Sequence, residues 1–218
     1  MLRLAMTYTR FGKLEESVDA CQRALELARR SRNALALAYG HQCMASSYNA
    51  SDNFVESLQH YRAMQVQARA AGSRLLEALA LSGQGGVVSS QGDVARGDAM
   101  IRQASGLYRA IGLPFYLSAS LYAEASQARM QGDLPRAVRL LDETVATYQR
   151  LPNKTGQWWA LTARAGDYLS LKKLAAAEED LKQALAIARD LNLPLYLSET
   201  ERQLGKVDAA RGEFRASL

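Results

Sequence analysis

Four groups of residues in this chain are of types that could do chemistry. They are the histidines His41 and His60, the cysteines Cys21 and Cys43, the carboxylate run Glu178-Glu179-Asp180, and the segment Ser82-Gly83-Gln84-Gly85-Gly86. Histidine serves proton transfer near neutral pH and, with cysteine, zinc ligation. Neither histidine has a Ser, Cys or carboxylate spaced to be activated as a nucleophile. Cys43 stands two residues from His41, and residues two apart on a helix point to different faces. His60 reads as lying on a largely exposed helix face. The two cysteines lack zinc-finger spacing and read as reduced and buried, with a disulfide as the alternative. The carboxylate run reads as a solvated outer face, with no histidine near it to complete a metal site. The glycine-rich segment lacks the Lys-Ser/Thr of a phosphate loop and follows no strand, so its glycines read as close helix packing. These groups predict no catalytic residue, no metal and no cofactor.

The elements that position these residues recur. A short breaker returns as Gly12-Lys13, Asp52-Asn53, Gly92-Asp93, Gly132-Asp133, Lys172-Lys173 and Gly212-Glu213, each step being 40 residues. A fixed period of this size marks stacked supersecondary units, each packing on its neighbours. After every breaker runs an amphipathic helix. Leu14, Val18, Cys21, Leu25 and Ala28 form its apolar stripe in the first unit, and Leu134, Val138, Leu141, Val145 and Tyr148 in the fourth. The helix from Val94 to Ile111 contains Gly97 and Gly106, each costing up to about 1 kcal/mol against Ala, so the third unit is expected to be the loosest.

The helix before each breaker carries a small residue at one register: Ala5, Ala45, Gly85, Ala125, Ala165 and Gly205. Small side chains let the two helices of a unit approach closely. Gly72, Gly112, Pro152 and Asn192 align where the second helix must stop, and Pro114 and Pro194 open the next.

These residues resemble the tetratricopeptide repeat family. Its pattern is a small residue and a Tyr in the first helix, a Gly-Asp or Asn turn, then Ala, an aromatic and Ala-Leu in the second. Ala45, Tyr48, Asp52-Asn53 and Tyr61 carry it, as do Ala125, Gly132-Asp133 and Ala137, and Ala165, Tyr168, Ala177 and Ala184-Leu185. The family's usual unit is about 34 residues. The longer unit here is similar to the long-helix repeats of bacterial regulators of the maltose-activator type. The resemblance implies an all-α, right-handed superhelical solenoid of antiparallel helix pairs, about five repeats plus a partial sixth. The expected boundaries are 1–32, 33–73, 74–113, 114–153, 154–193 and 194–218, in one array. The ends, inside a first helix and at Phe214-Arg215-Ala216-Ser217-Leu218, read as those of a fragment of a longer polypeptide. An unfinished end predicts self-association through exposed terminal helices.

In this family the first helices line a concave groove. The register places there Tyr39, Gln42, Ser46 and Asn49, then Ser82 and Ser89, then Tyr122, Ser126 and Arg129, then Trp159 and Thr162, and finally Arg202. Of the adjacent Trp158 and Trp159, Trp159 is expected to face outward. Arg129 has Asp133 within pairing reach on the surface. The resemblance thus implies a non-enzymatic scaffold that binds a protein or peptide partner. The alternative is a ligand-responsive module controlling an attached effector. The Lys/Asn set that clamps a C-terminal carboxylate in chaperone-binding relatives is absent.

Composition fits this reading. Charged residues are 22% of the chain and the net charge is +5. The arginines are scattered rather than clustered along one face, which argues against nucleic acid. Arg29, Arg30 and Arg32 end a helix, where cations complement its dipole. The longest apolar stretches fall short of the roughly 20 residues that span a bilayer, and no secretory signal opens the chain, so a cytoplasmic location is expected.

Overall fold

A computed structural model gives the structure and describes residues 7–8 and 11–212. Ala5, Glu213 and the stretch 214–218, which carry the expectations for the two ends, lie outside these residues.

The fold is all-α. The helices are α1 (Leu14–Ser31), α2 (Ala34–Ala50), α3 (Phe54–Ala70), α4 (Arg74–Ser90), α5 (Val94–Ala110), α6 (Pro114–Met130), α7 (Leu134–Arg150), α8 (Lys154–Ser170), α9 (Leu174–Asp190) and α10 (Pro194–Ala210). The even-numbered members are the first helices of the repeat and the odd-numbered ones the second. Within each of the two compact units described below, consecutive helices pack on one another, and no strand occurs among the described residues. None of the described helices is long and apolar enough to cross a membrane. The chain divides into two compact units, 1–113 and 114–218, and the division falls on a repeat boundary.

Each breaker turns through a left-handed residue. Gly12, Asp52, Gly92, Gly132, Lys172 and Gly212 all have φ between 57° and 98°. Glycine suits this conformation because it has no Cβ. The second turn repeats the device at Arg32, Gly72, Gly112 and Asn192. Position 152 departs from it, because proline's ring fixes φ near −65°. There Leu151 is extended, and the Asn153 side chain caps α8 by accepting from the Gly156 N–H.

The small residues meet in pairs. Ser57 on α3 donates to the Ala45 carbonyl of α2 at 2.9 Å. Gly97 on α5 faces Gly85 on α4 so closely that a Cβ on either would come within 2.7 Å of the other's carbonyl oxygen. Ala125, Ala137, Ala165 and Ala177 are fully buried at the same registers. The helix pair therefore crosses at one spot per repeat, and both partners must be small there. Gly97 is thus a packing residue at this crossing, whereas a Cβ at Gly106 on the same helix would meet nothing within 4 Å. The apolar slot one turn further on is filled by Cys21, Ile101, Leu141 and Leu181, all buried.

Cys21 and Cys43 are joined in a disulfide between α1 and α2, which overturns the expected reduced pair.

Candidate functional site

In the second unit the first helices α6, α8 and α10 line a cavity of about 540 Å³. Arg129 contributes from α6. Thr162, Ala163, Gly166, Asp167, Leu169 and Ser170 come from α8, and Arg202, Gln203 and Lys206 from α10. Gly166, Thr162 and Ser170 follow the helical period, so one stripe of α8 forms the floor. A Cβ added at Gly166 would meet nothing within 4 Å. The floor is therefore open above its backbone.

Arg129 grips Asp167 with two parallel hydrogen bonds, Nε to Oδ1 at 2.5 Å and one Nη to Oδ2 at 3.0 Å. The Asp167 side chain is 1% exposed and that of Arg129 is 38% exposed. This forked pair ties α6 to α8, and its hydrogen bonds hold the guanidinium firmly charged. Burial raises the pKa of the neighbouring Tyr122 phenol. On α10, Arg202 forks onto Glu199 at 2.8 and 2.6 Å, and Gln203 also donates to Glu199 at 2.9 Å. The Gln203 Oε1 is buried without a hydrogen-bond partner among the described residues.

An aromatic cluster sits toward the N-terminal ends of the same helices. Trp158 is buried, stacks on Tyr196 at 4.1 Å, and donates its indole N–H to Thr200 Oγ1 at 2.9 Å. Trp159 is 48% exposed, with its ring 6.0 Å from Tyr196, edge to face. The outward face thus belongs to Trp159, as the register implied.

The remaining expected groove residues divide. Tyr39, Ser46 and Asn49 are exposed on α2, and Gln42 on α2 and Ser82 on α4 are half-buried. Ser126 is half-buried on α6 and Arg202 is exposed on α10. Thr162 is buried, and its hydroxyl donates to the Trp158 carbonyl at 2.9 Å. Ser89 is a correction: it is buried against Gly97, facing α5 instead of a partner.

Three other expectations change. Arg129 pairs with Asp167 rather than Asp133. Asp180 is buried and receives two hydrogen bonds from Arg164, both at 2.7–2.8 Å, so it leaves the solvated face on which Glu179 remains. Arg164 also donates to Asp142 at 2.7 Å, joining α7, α8 and α9. Burial holds the Asp180 carboxyl above the ordinary carboxylate range despite this pairing. His60 is half-buried, not exposed. Its Nδ1 lies 3.0 Å from that of His41, and its ring stacks on Tyr48. Burial, His60 and Arg29 lower the His41 pKa to about 4, and burial and Arg29 lower that of His60. Burial thus favours the neutral imidazoles, and the hydrogen bond between the rings needs at least one of them neutral to accept.

Asp167 and Gln203 are the polar cavity residues that sequence reasoning missed, beside the apolar Ala163 and Leu169. A signal existed for the first: Asp167 stands 38 residues after Arg129, two short of the repeat, which places it on the facing side of the next first helix.

Residues 1–33 match the tetratricopeptide repeat family. No curated protein sequence matches the chain. Among solved structures, BtubC from P. vanneervenii superposes with a TM-score of 0.83 at 21% identity, over 92% of this chain and 85% of that one. The fold is that of tetratricopeptide repeats. A signal transduction ATPase with a tetratricopeptide repeat sensor, from Pyrococcus horikoshii, gives 0.77 at 18% identity. That likeness covers 98% of this chain and 35% of that one. A Rap protein complexed with competence and sporulation factor gives 0.69 at 14% identity, over 98% of this chain and 64% of that one. The chain thus spans about a third of the ATPase and just under two thirds of the Rap protein. Tetratricopeptide repeats generally mediate protein–protein interaction. The match carries the family for residues 1–33 and the likenesses show the fold, and neither extends to the maltose-activator subgroup.

Proposed function

We propose that the protein is a non-enzymatic interaction scaffold and that its partner, a peptide or helix, lies in the cavity lined by α6, α8 and α10. The observation that carries this is the open floor at Gly166, flanked by Arg129, Thr162 and Arg202 and continued by the exposed Trp159. Cavities that hold ligands combine contact surface with a few placed polar groups, and interfaces favour Trp, Tyr and Arg. The buried core of ion pairs beneath keeps the helices in fixed positions, so the face is ready before the partner arrives. Tyr122 and Ser126 extend the surface along α6.

A displayed random-peptide library selected on the chain tests this. A photoreactive group placed in each selected peptide should crosslink to α6, α8 and α10. Crosslinks confined to the second helices α7 and α9 would contradict it.

The second reading is a ligand-responsive regulatory module, with the whole chain as one array. It draws support from the likeness to the sensor of a signal transduction ATPase and to a Rap protein with a bound factor. Small-angle scattering separates the two readings. A module of this kind changes its radius of gyration when a selected peptide is added, and a rigid scaffold does not.

A further inference from the structure

The first unit holds a cavity of its own, about 390 Å³, between α1 and α2. Ala24, Leu27 and Ala28 line it from α1, and Ala36, Tyr39 and Gly40 from α2. Later repeats fill the equivalent place. One period on, Ala38 packs with Met64, Ala68, Leu76 and Ala80, which stand at the registers of Ala24, Ala28, Ala36 and Gly40. In the second unit Trp158 packs with Ala184 and Ala188, stacks on Tyr196 and donates to Thr200, again at those registers. Ala38, Ala78, Ser118 and Trp158 are spaced by 40 and all are buried. One period before Ala38 lies ahead of Met1, so the sequence has no residue at the first of these places. Ala24 and Ala36 are half-buried there, whereas Met64 and Leu76 are buried.

The size of the filling side chain follows the lining. Beside Met64 and Leu76 it is alanine, and beside Ala184 and Ala188 it is tryptophan. Close packing requires this trade. Ala24, Ala28, Ala36 and Gly40 are the smallest of the three sets, so the first cavity calls for a bulky side chain.

The charge beside it is one-sided. Ala38 stands near the start of α2, and its neighbours Met64 and Ala68 near the end of α3. A helix that fills the first cavity in the same way begins beside the end of α1. Arg29, Arg30 and Arg32 are exposed there. Glu26 is the single carboxylate from Gln22 to Ser31, and α2 carries none. Arg69 on α3 has its acid in Glu77 at 2.6 Å, but one period earlier Leu37 stands in the place of that acid beside Arg29.

We propose that this cavity takes a helix of a partner protein, with a Trp or Phe anchor behind an acidic first turn. The anchor fills the place that Trp158 fills in the second unit. The acids meet Arg29, Arg30 and Arg32 and complement the positive end of their own helix. A second copy of this chain does not offer that pattern. The four residues before each exposed aromatic, Phe11, Tyr39, Phe115 and Trp159, include no Asp or Glu. The site shares no residue with the cavity of α6, α8 and α10 and stands independently of it.

The probe is a fluorescein-labelled helical peptide with an Asp cap, Glu at its second and third helical positions and Trp at its fifth. Matched peptides carry Ala for Trp, or Lys for both Glu. Anisotropy gives each Kd. The Glu/Trp peptide should bind at least about tenfold tighter than either, since buried Trp anchors dominate interfaces and charge sets partner choice. Ala24→Met with Ala36→Leu gives the first cavity the lining of the next repeat. It should weaken the Glu/Trp peptide at least about tenfold, with thermal unfolding confirming the fold. Arg30→Glu with Arg32→Glu should turn the preference toward the Lys peptide. Equal affinity for the Trp and Ala peptides, or no binding, overturns the proposal. So does binding that survives Ala24→Met with Ala36→Leu in the folded chain. If that surviving binding is lost in Gly166→Leu, the peptide sits in the cavity of the second unit, and only this inference falls. Self-association in sedimentation, removed by Ala24→Met with Ala36→Leu and accompanied by no peptide binding, would give the place to a second copy instead.

Discussion

The two compact units share one repeat but hold it together differently. In the first unit the first helices carry almost no charge: α2 has His41 alone among its titratable side chains apart from Tyr and Cys. Its contacts include the Cys21–Cys43 bridge, the Ser17–Ser47 hydroxyl pair at 2.7 Å, the histidine pair and the glycine crossing of α4 and α5, beside the Arg69–Glu77 ion pair at 2.6 Å between α3 and α4. In the second unit ion pairs take a larger share of the contacts. Arg129–Asp167, Arg164 with Asp142 and Asp180, and Glu178 with Lys182 and Arg211 tie neighbouring turns and helices. The small and apolar core slots are the same in both. The repeat therefore fixes where helices cross, while the residues around the crossing are free to differ.

The largest effect should follow from Arg164→Met. It leaves Asp180 buried without its partner, at a cost of about 3–5 kcal/mol, since breaking a buried pair strands a charge. Hydrogen exchange should quicken in α7, α8 and α9 and stay unchanged in α1 and α2, because repeats couple mainly to neighbours. Equal loosening of both units would break the comparison. Next is reduction of Cys21–Cys43, which closes a span of 22 residues and should cost about 2–4 kcal/mol. Here the exchange pattern inverts, with α1 and α2 losing protection.

Ala165→Leu sharpens the shared part of the account. Ala165 and Ala177 are fully buried at the crossing of α8 and α9, so overpacking should lower the denaturation midpoint by an amount equivalent to about 1–3 kcal/mol. An unchanged midpoint would refute the crossing register. A smaller effect is expected from acid. His41 and His60 have folded-state pKa values below the ordinary 6.5, so folding favours the neutral rings. Their contribution is fully present above about pH 6.5 and is lost as pH falls toward the His41 value of about 4. His41→Gln should flatten that slope in pH-dependent unfolding of the first unit.

The helices, the breakers and the small crossing residues were legible in the sequence because each is dictated locally. A left-handed turn selects Gly or Asn, an amphipathic stripe shows its period, and a close crossing needs Ala, Gly or Ser. Arg32 and Lys172 escaped this logic, since their left-handed φ is imposed by the repeat and not by their own preference. The pairings were less legible because they join different helices. Only the repeat spacing, and nothing in the residues around Arg129 themselves, distinguishes Asp133, four positions on, from Asp167 in the next first helix. Asp180 and His60 read as exposed for the same reason: the arginine and the histidine that cover them lie 16 and 19 residues away. Trp159 was placed correctly because two adjacent tryptophans on a helix cannot both face the core. Ser89 was misplaced because a one-position difference along α4 separates the side toward α5 from the outer side at Ser90.

Gly86 and Gly166 occupy the same register in the two units, and a Cβ at either meets nothing within 4 Å. A side chain at each position therefore starts into open space, and leucine gains helix propensity of up to about 1 kcal/mol over glycine. The most direct measurement is the Kd of one library-selected peptide for the parent chain, Gly86→Leu and Gly166→Leu, with thermal unfolding of each. If the cavity of α6, α8 and α10 holds the partner, Gly166→Leu weakens binding at least about tenfold while Gly86→Leu leaves it unchanged. Unaltered binding to Gly166→Leu, with the chain folded, would contradict the account.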